Sequence, residues 1–295
     1  MPRIIEVMKT NVSIAVAVFE AAEILRRAGI PEARREAGLL VAYVTGKDRT
    51  FIISHADDPL DSEQLDRLNE YAQRRALGEP FQYITGLQEF FGRSFEVNKD
   101  VLIPRPETEL LIETALDLSP VPDASLKICD IGTGSGCIAI TLLKERPFAR
   151  SVGIDVSASA LRVAQRNAML HEVSKRLSLV RGDCLTGIAL NPKFDMIVSN
   201  PPYVAAGALA GLQREVRDHE PRAALTAGLD GLAIIRRLLV ESGPHLVPGG
   251  LLLFEFGFDQ GAAIERLVAA SDWKMLEIQN DLQGIPRIAA LQKPL

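Results

Sequence analysis

Cysteine, histidine and surplus positive charge are scarce in this 295-residue chain. Its three cysteines, Cys129, Cys137 and Cys184, form no C-x-x-C pair and no zinc-ligand spacing. That excludes a disulfide framework and a structural zinc site, and it predicts reduced thiols in a cytoplasmic protein. Four scattered histidines, His55, His171, His219 and His245, offer no metal centre, so no bound metal is expected. A net charge of −5 excludes the global basic field of a nucleic-acid binder and leaves only a local basic groove open. No run approaches the ~18 apolar residues that a membrane span needs. The apolar stretch Val12 to Phe19 follows Lys9, as a short signal-peptide core would. Glu20 and Glu23 interrupt it and no small-residue cleavage site is evident, so an amphipathic first helix is expected instead.

What is present is ordinary for a folded protein, 47% hydrophobic and 24% charged. The length predicts one large domain with a smaller one, or two. Residues 1–78 read as all-helical. One apolar-periodic segment runs from Ser13 to Ala28 and stops at Gly29. A second opens at Pro31 and stops at Gly46, and a third opens at Asp61 with Gln64 in capping-box position and ends before Gly78. Residues 79–103 are rich in aromatics, with Gly92-Arg93 between two strand-like runs, and predict a β-hairpin linker. Pro104 and Pro106 then enforce an extended entry to a helix from Glu107.

From residue 104 onward the chain reads as a larger domain of alternating strands and helices. Strands are expected at Leu126–Ile131, Ser151–Asp155, Leu177–Val180, Phe194–Ser199, Gly250–Phe256, Lys274–Ile278 and Ile288–Leu291. The alternation predicts an α/β fold, an open and mostly parallel sheet with helices on both faces. Only a short turn with Gly284-Ile285-Pro286 joins the last two strands, so these should be antiparallel.

The first of these strands runs into D-I-G-T-G-S-G-C, Asp130 to Cys137. Gly132, Gly134 and Gly136 allow a sharp turn and close approach to a ligand at a helix start. Alone, such a loop fits NAD, FAD, S-adenosylmethionine or tight packing. Asp130, just before the glycines, would repel a phosphate and attract a cationic group. Asp155 ends the second strand, where an acid can grip two ribose hydroxyls. A cationic, ribose-bearing and phosphate-free ligand matches S-adenosylmethionine better than NAD. Asp183 follows the third strand and reads either as an adenine contact or as a turn residue.

The fourth strand ends in N-P-P-Y, Asn200 to Tyr203. Such a tetrapeptide is a simple turn when it stands alone. After a glycine loop and a ribose acid, it reads as an acceptor site. A nitrogen conjugated to a carbonyl or a ring is a poor nucleophile, and its N–H groups need acceptors. Asn200 supplies a side-chain carbonyl, Pro201 a backbone carbonyl with no amide hydrogen beside it, and Tyr203 a flat face. These residues predict an amino- or amide-nitrogen methyltransferase and leave open whether the nitrogen belongs to adenine, guanine or glutamine.

The whole pattern resembles the PrmC/HemK family of protein-(glutamine-N5) methyltransferases. The resemblance is carried by I-P-R-P-E-T-E at 103–109, D-I-G-T-G-S-G at 130–136, N-P-P-Y at 200–203, E-P-R-A-A-L at 220–225 and D-G-L at 230–232. F-E-F-G-F-D-Q at 254–260 and D-L-Q-G-I-P-R at 281–287 complete it. It implies a class I S-adenosylmethionine-dependent methyltransferase fold, Rossmann-like with a seven-stranded sheet, after a small helical domain (1–78) that docks substrate, the hairpin linker (79–103) and the catalytic domain (104–295). It implies cofactor contacts at Gly132, Thr133, Gly134, Ser135, Gly136 and Asp155, near Cys184 and at Asn200, beside the adenine contact expected of Asp183 from its position, with S-adenosylhomocysteine as product. Asn200, Pro201, Pro202 and Tyr203 would hold the substrate glutamine, and Asn200, Pro201 and Tyr203 would act in catalysis. The implied partner is a peptide chain release factor, methylated on the glutamine of its Gly-Gly-Gln motif, with no membrane and no sequence-specific nucleic acid involved.

Cys184 stands where many members carry an aromatic residue, and the stretch 224–232 also departs from the usual pattern. Rival readings are a glutamine methyltransferase of a ribosomal protein and a DNA or RNA base N-methyltransferase. Acidic net charge and the lack of a recognition domain disfavour the nucleic-acid reading. A catalytically silent binding module is disfavoured by the intact Asn200–Tyr203 segment.

Overall fold

A computed structural model describes residues 12–119, 121, 125–191 and 193–295. The chain forms two compact units: the part up to Thr85 together with Arg214–His219, and Gly86–Gln213 together with Glu220–Leu295.

The first unit is built from α1 (Ile14–Arg27), α2 (Ala33–Thr45), α3 (Arg49–Ser54), α4 (Ser62–Ala76), α5 (Phe81–Thr85) and the short Arg214–His219 helix. Ser13 caps α1, and Arg26 and Arg27 sit in its last turn, where positive charge suits the helix dipole. The capping box of α4 is complete: Gln64 N donates to Asp61 Oδ1 at 2.8 Å, and Asp61 N donates to Gln64 Oε1 at 3.0 Å. Helical spacing places Ala17, Ala21 and Leu25 of α1 against Leu40, Val41, Leu65 and Leu68 in one apolar core. Pro31 lies before α2, which starts two residues later behind Glu32 in a left-handed conformation. The helix α3, capped by Asp48, has no counterpart in the sequence reading, because six residues are too few to display a period.

In the second unit β1 (Leu87–Phe90) and β2 (Arg93–Glu96) form an antiparallel hairpin. Its turn is Phe91-Gly92, not the expected Gly92-Arg93. Both turn residues have positive φ, 51° and 66°, as the tightest hairpin turns demand. The expected helix at Glu107 opens with a 3₁₀ turn at Pro106–Thr108, and α6 (Glu109–Asp117) follows.

Next come β3 (Lys127–Ile131), α7 (Cys137–Glu145), β4 (Arg150–Asp155), α8 (Ala158–Leu170), β5 (Leu177–Arg181) and β6 (Phe194–Ser199). The Arg214–His219 helix is α9 in chain order. It is followed by α10 (Arg222–Leu225), α11 (Ala233–His245), β7 (Leu246–Glu255), α12 (Gly261–Ala269), β8 (Lys274–Asn280) and β9 (Pro286–Gln292). The seven-stranded sheet has the order β5-β4-β3-β6-β7-β9-β8. β3 to β7 pair in parallel, and β9 runs antiparallel to both of its neighbours.

Alternation along the buried strands serves two cores. Ile128, Met196 and Leu253 meet Leu111 and Ile112 of α6 and Ile140 of α7 on one face. Cys129, Ile197 and Leu252 meet Ile235 and Leu238 of α11 and Ile264 of α12 on the other. The chain leaves β3 toward β4 on one side and returns to β6 on the other. This reversal opens a crevice at the carboxyl ends of β3 and β6, the place where open α/β sheets bind ligands. Among the described residues no helix is long and apolar enough to cross a membrane.

Candidate active site

The loop after β3 is closed onto β4 by its own backbone. Gly132 N and Thr133 N both donate to Ile154 O, at 2.8 and 3.0 Å. Gly134 N donates to Asp155 Oδ2 and Ser157 N to Asp155 Oδ1, each at 2.9 Å. Gly132 and Gly134 have φ of 73° and 54°, which a side chain at either position would strain. Gly136 differs from them. A Cβ there would lie 2.9 Å from Ile140 Cδ1 and 3.2 Å from Ala164 Cβ, so this glycine lets α7 pack tightly against α8. Gly136, expected as a cofactor contact, is not among the residues that line the cavity described below.

Asp130 does not face the cavity as its position before the glycines suggested. It is fully buried under the loop, where its Oδ2 accepts from Thr133 Oγ1 at 2.6 Å and from Ala139 N at 3.3 Å. Burial pushes its carboxyl up to about 7, against the pull of those two hydrogen bonds.

The crevice holds a cavity of about 350 Å³. Gly132, Thr133, Gly134, Ser135, Asp155, Asp183, Cys184, Asn200, Pro201 and Pro202, all expected from sequence, line it, with Ile131, Ile138, Ile154 and Val156 as apolar wall. The volume suits a small organic ligand. Each oxygen of Asp155 accepts one backbone N–H and keeps a lone pair, as an acid that grips a ribose diol must. Gly132 points its missing Cβ at the carbonyl oxygen of Asn200, 3.9 Å away, so the glycine loop and the tetrapeptide face one space. These features fit S-adenosylmethionine. Cys184 takes a left-handed φ of 51° and is 6% exposed, and burial pushes its thiol up to about 11. Asp183 is drawn outward, its Oδ1 accepting from Arg237 Nη1 at 2.6 Å, and this pair fixes the turn after β5.

Asn200 follows the last residue of β6, Ser199, whose hydroxyl donates to Ile131 O at 2.7 Å and ties the ends of β6 and β3 together. Asn200 Nδ2 donates to Thr108 Oγ1 at 2.9 Å, and Thr108 Oγ1 lies 2.6 Å from Glu255 Oε2. Tyr203, expected to offer a flat face to the substrate, is not among the residues that line the cavity. Its hydroxyl donates to Glu255 Oε1 at 3.1 Å. Burial and the Glu255 charge push the phenol well above its ordinary value. Glu255 is itself 1% exposed, and burial raises its carboxyl while Thr108, Tyr203 and the charge of Arg287 pull it back.

Several residues that hold this site were quoted in the sequence motifs without a role. Gln260 Nε2 donates to Tyr203 O at 3.0 Å, while its Oε1 accepts from Gly257 N at 2.8 Å. Gly231 packs so closely that a Cβ would lie 2.1 Å from Tyr203 O, so the D-G-L stretch braces the tetrapeptide. Arg105 Nη2 donates to Glu220 Oε1 at 2.5 Å, joining I-P-R-P-E-T to E-P-R-A-A-L. For Glu255 a local signal did exist. A carboxylate between Phe254 and Phe256, in a strand otherwise built for burial, is out of place unless it has a task.

Two family models match the chain: the PrmC N-terminal domain over residues 17–86 and the methyltransferase small domain over residues 106–216. The chain is 42% identical to a release factor glutamine methyltransferase of Koribacter versatilis, over 92% of this chain and 95% of that protein. It is 41% identical to one of Nitratidesulfovibrio vulgaris, over 92% of each. Among solved structures, the ribosomal protein L11 methylase of Lactobacillus delbrueckii subsp. bulgaricus shares the fold, with a TM-score of 0.50 and 20% identity over 70% of this chain and 90% of that one.

Proposed function

Because the chain belongs to the release factor glutamine methyltransferase family, we propose that it methylates the side-chain amide nitrogen, N5, of the glutamine in the Gly-Gly-Gln motif of a peptide chain release factor. S-adenosylmethionine, held by the Gly132–Ser135 loop, Asp155 and the wall near Cys184, would supply an electrophilic methyl group on sulfur. The observation that carries this reading is the single cavity that the glycine loop and Asn200-Pro201 share.

The work of the chain's own residues is to present a poor nucleophile. Asn200 Oδ1 and the Pro201 carbonyl each accept an N–H of the incoming amide, which fixes the nitrogen in place. As the new N–C bond forms, positive charge grows on that nitrogen, and the two oxygens stabilise it. The nitrogen becomes acidic only then, so its proton leaves afterwards and no strong base is required. Pro201 and Pro202 bring no backbone N–H that would compete for the amide carbonyl. A cytoplasmic setting agrees with the three cysteines, all free and buried.

The test is methyl transfer from labelled S-adenosylmethionine to a release factor, to its Gln-to-Ala tip variant, to a ribosomal-protein fraction and to DNA. Label in the release factor and none in the tip variant is expected. Label only in DNA or only in a ribosomal protein overturns the assignment.

A further inference from the structure

The hydrogen bonds behind Asn200 run in one direction, and that direction follows from valence. Glu255 offers one oxygen to Thr108 and the other to Tyr203, at 2.6 and 3.1 Å. Burial raises its carboxyl, while the two hydroxyls and the charge of Arg287 favour the carboxylate form. A carboxylate only accepts, and a threonine hydroxyl has one proton to give. With that proton given to Glu255, Thr108 Oγ1 can only accept from the amide beside it. Asn200 therefore turns its NH2 toward Thr108, 2.9 Å away, and its Oδ1 is the end left for the cavity that Asn200 and Thr108 both line.

We propose that Thr108 and Glu255 are positioning residues that fix the flip of the Asn200 side-chain amide, so that its oxygen and not its NH2 meets the acceptor glutamine. This deepens the function proposed above and rests on it. The two ends of an asparagine amide are nearly equal in size, so packing alone selects neither. A flipped Asn200 would set N–H donors against the N–H donors of the substrate amide and would bind the substrate's carbonyl instead. The wrong end of the glutamine would then approach the donor. The chain Asn200–Thr108–Glu255 converts a chemically ambiguous side chain into a committed acceptor.

The experiment compares Thr108→Val, Thr108→Ser, Glu255→Gln and the Thr108→Val/Glu255→Gln double variant in the full chain, each checked for folding by thermal melting. Release-factor methylation is expected to fall about tenfold or more in Thr108→Val and in Glu255→Gln, and to return to within about threefold of the parent in Thr108→Ser. The double variant should lose no more than the worse single one, because both changes break one chain. A second readout needs neither donor nor acceptor. In protein labelled with ¹⁵N-asparagine, the side-chain NH2 signal missing from Asn200→Ala should shift in Thr108→Val and Glu255→Gln and stay in place in Thr108→Ser. Parent-like turnover and an unshifted signal in Thr108→Val, with methylation by the parent intact, overturn this inference and leave the proposed function standing. If the parent fails to methylate the release factor, the proposed function falls, and the Asn200 signal alone decides whether Thr108 and Glu255 set the amide.

Discussion

The glycine loop after β3 and the tetrapeptide after β6 share one cavity, and they are held by different means. Backbone N–H groups donating to Ile154 O and to the Asp155 carboxylate shape the loop, and its most distant partner, Asn167 on Ser135 O, lies 32 residues away. The tetrapeptide is held by side chains far away in sequence: Thr108 is 92 residues from Asn200, and Glu255 is 52 from Tyr203. The donor side therefore rests mainly on backbone shape, with the Asp155 carboxylate as its side-chain anchor. The acceptor side depends on the donor and acceptor character of particular side chains.

Asp130 offers the largest effect with which to break that contrast. Its carboxyl is raised to about 7, chiefly by burial, so the stability it contributes is complete below about pH 4 and is lost as pH rises through about 7. Asp130→Asn keeps an oxygen for Thr133 and Ala139 but carries no charge. Measured by urea unfolding, its stability relative to the parent should climb across that window, by as much as about 4 kcal/mol. A difference that is flat with pH would mean that Asp130 does not titrate there. Next in size, Asn200→Ala should lower methyl transfer by about 3 kcal/mol of barrier, or roughly two decades in rate. Near-parent turnover would remove the acceptor side from the chemistry. Smallest is Gly136→Ala, where positive φ and the contact with Ala164 predict a loss of about 1–3 kcal/mol in thermal stability. Donor affinity per folded molecule should hardly change, since Gly136 packs helices and does not line the cavity. A selective loss of donor binding at unchanged stability would return Gly136 to the cofactor loop.

Much of the fold was legible because its signals are local. Alternating apolar runs marked each strand of the large sheet, Asp61 with Gln64 marked a helix start, and a connection too short for a crossover helix marked β8 and β9 as antiparallel. The glycine loop, Asp155 and Asn200 could be read because each lies at a strand end, where the α/β pattern places ligands. Gly136 reads as a ligand contact from the backbone freedom of its glycine and Tyr203 from its flat aromatic face, and the resemblance implies both. Neither lines the cavity, and their surroundings show what else they do. Ile140 and Ala164 crowd Gly136, and Glu255 and Gln260 hold Tyr203 from behind.

By itself, the sequence determined where strands stop, where the backbone must turn through left-handed angles, and which residue types stand at those stops. Those properties depend on a few neighbouring residues and on the period of burial. Which way the Asn200 amide faces, and which carboxylate enforces it, was decided only when the 3₁₀ turn at Pro106–Thr108 and the end of β7 met behind β6. A hydrogen bond has a direction that no single residue carries, and it exists only once donor and acceptor have been brought within about 3 Å of each other.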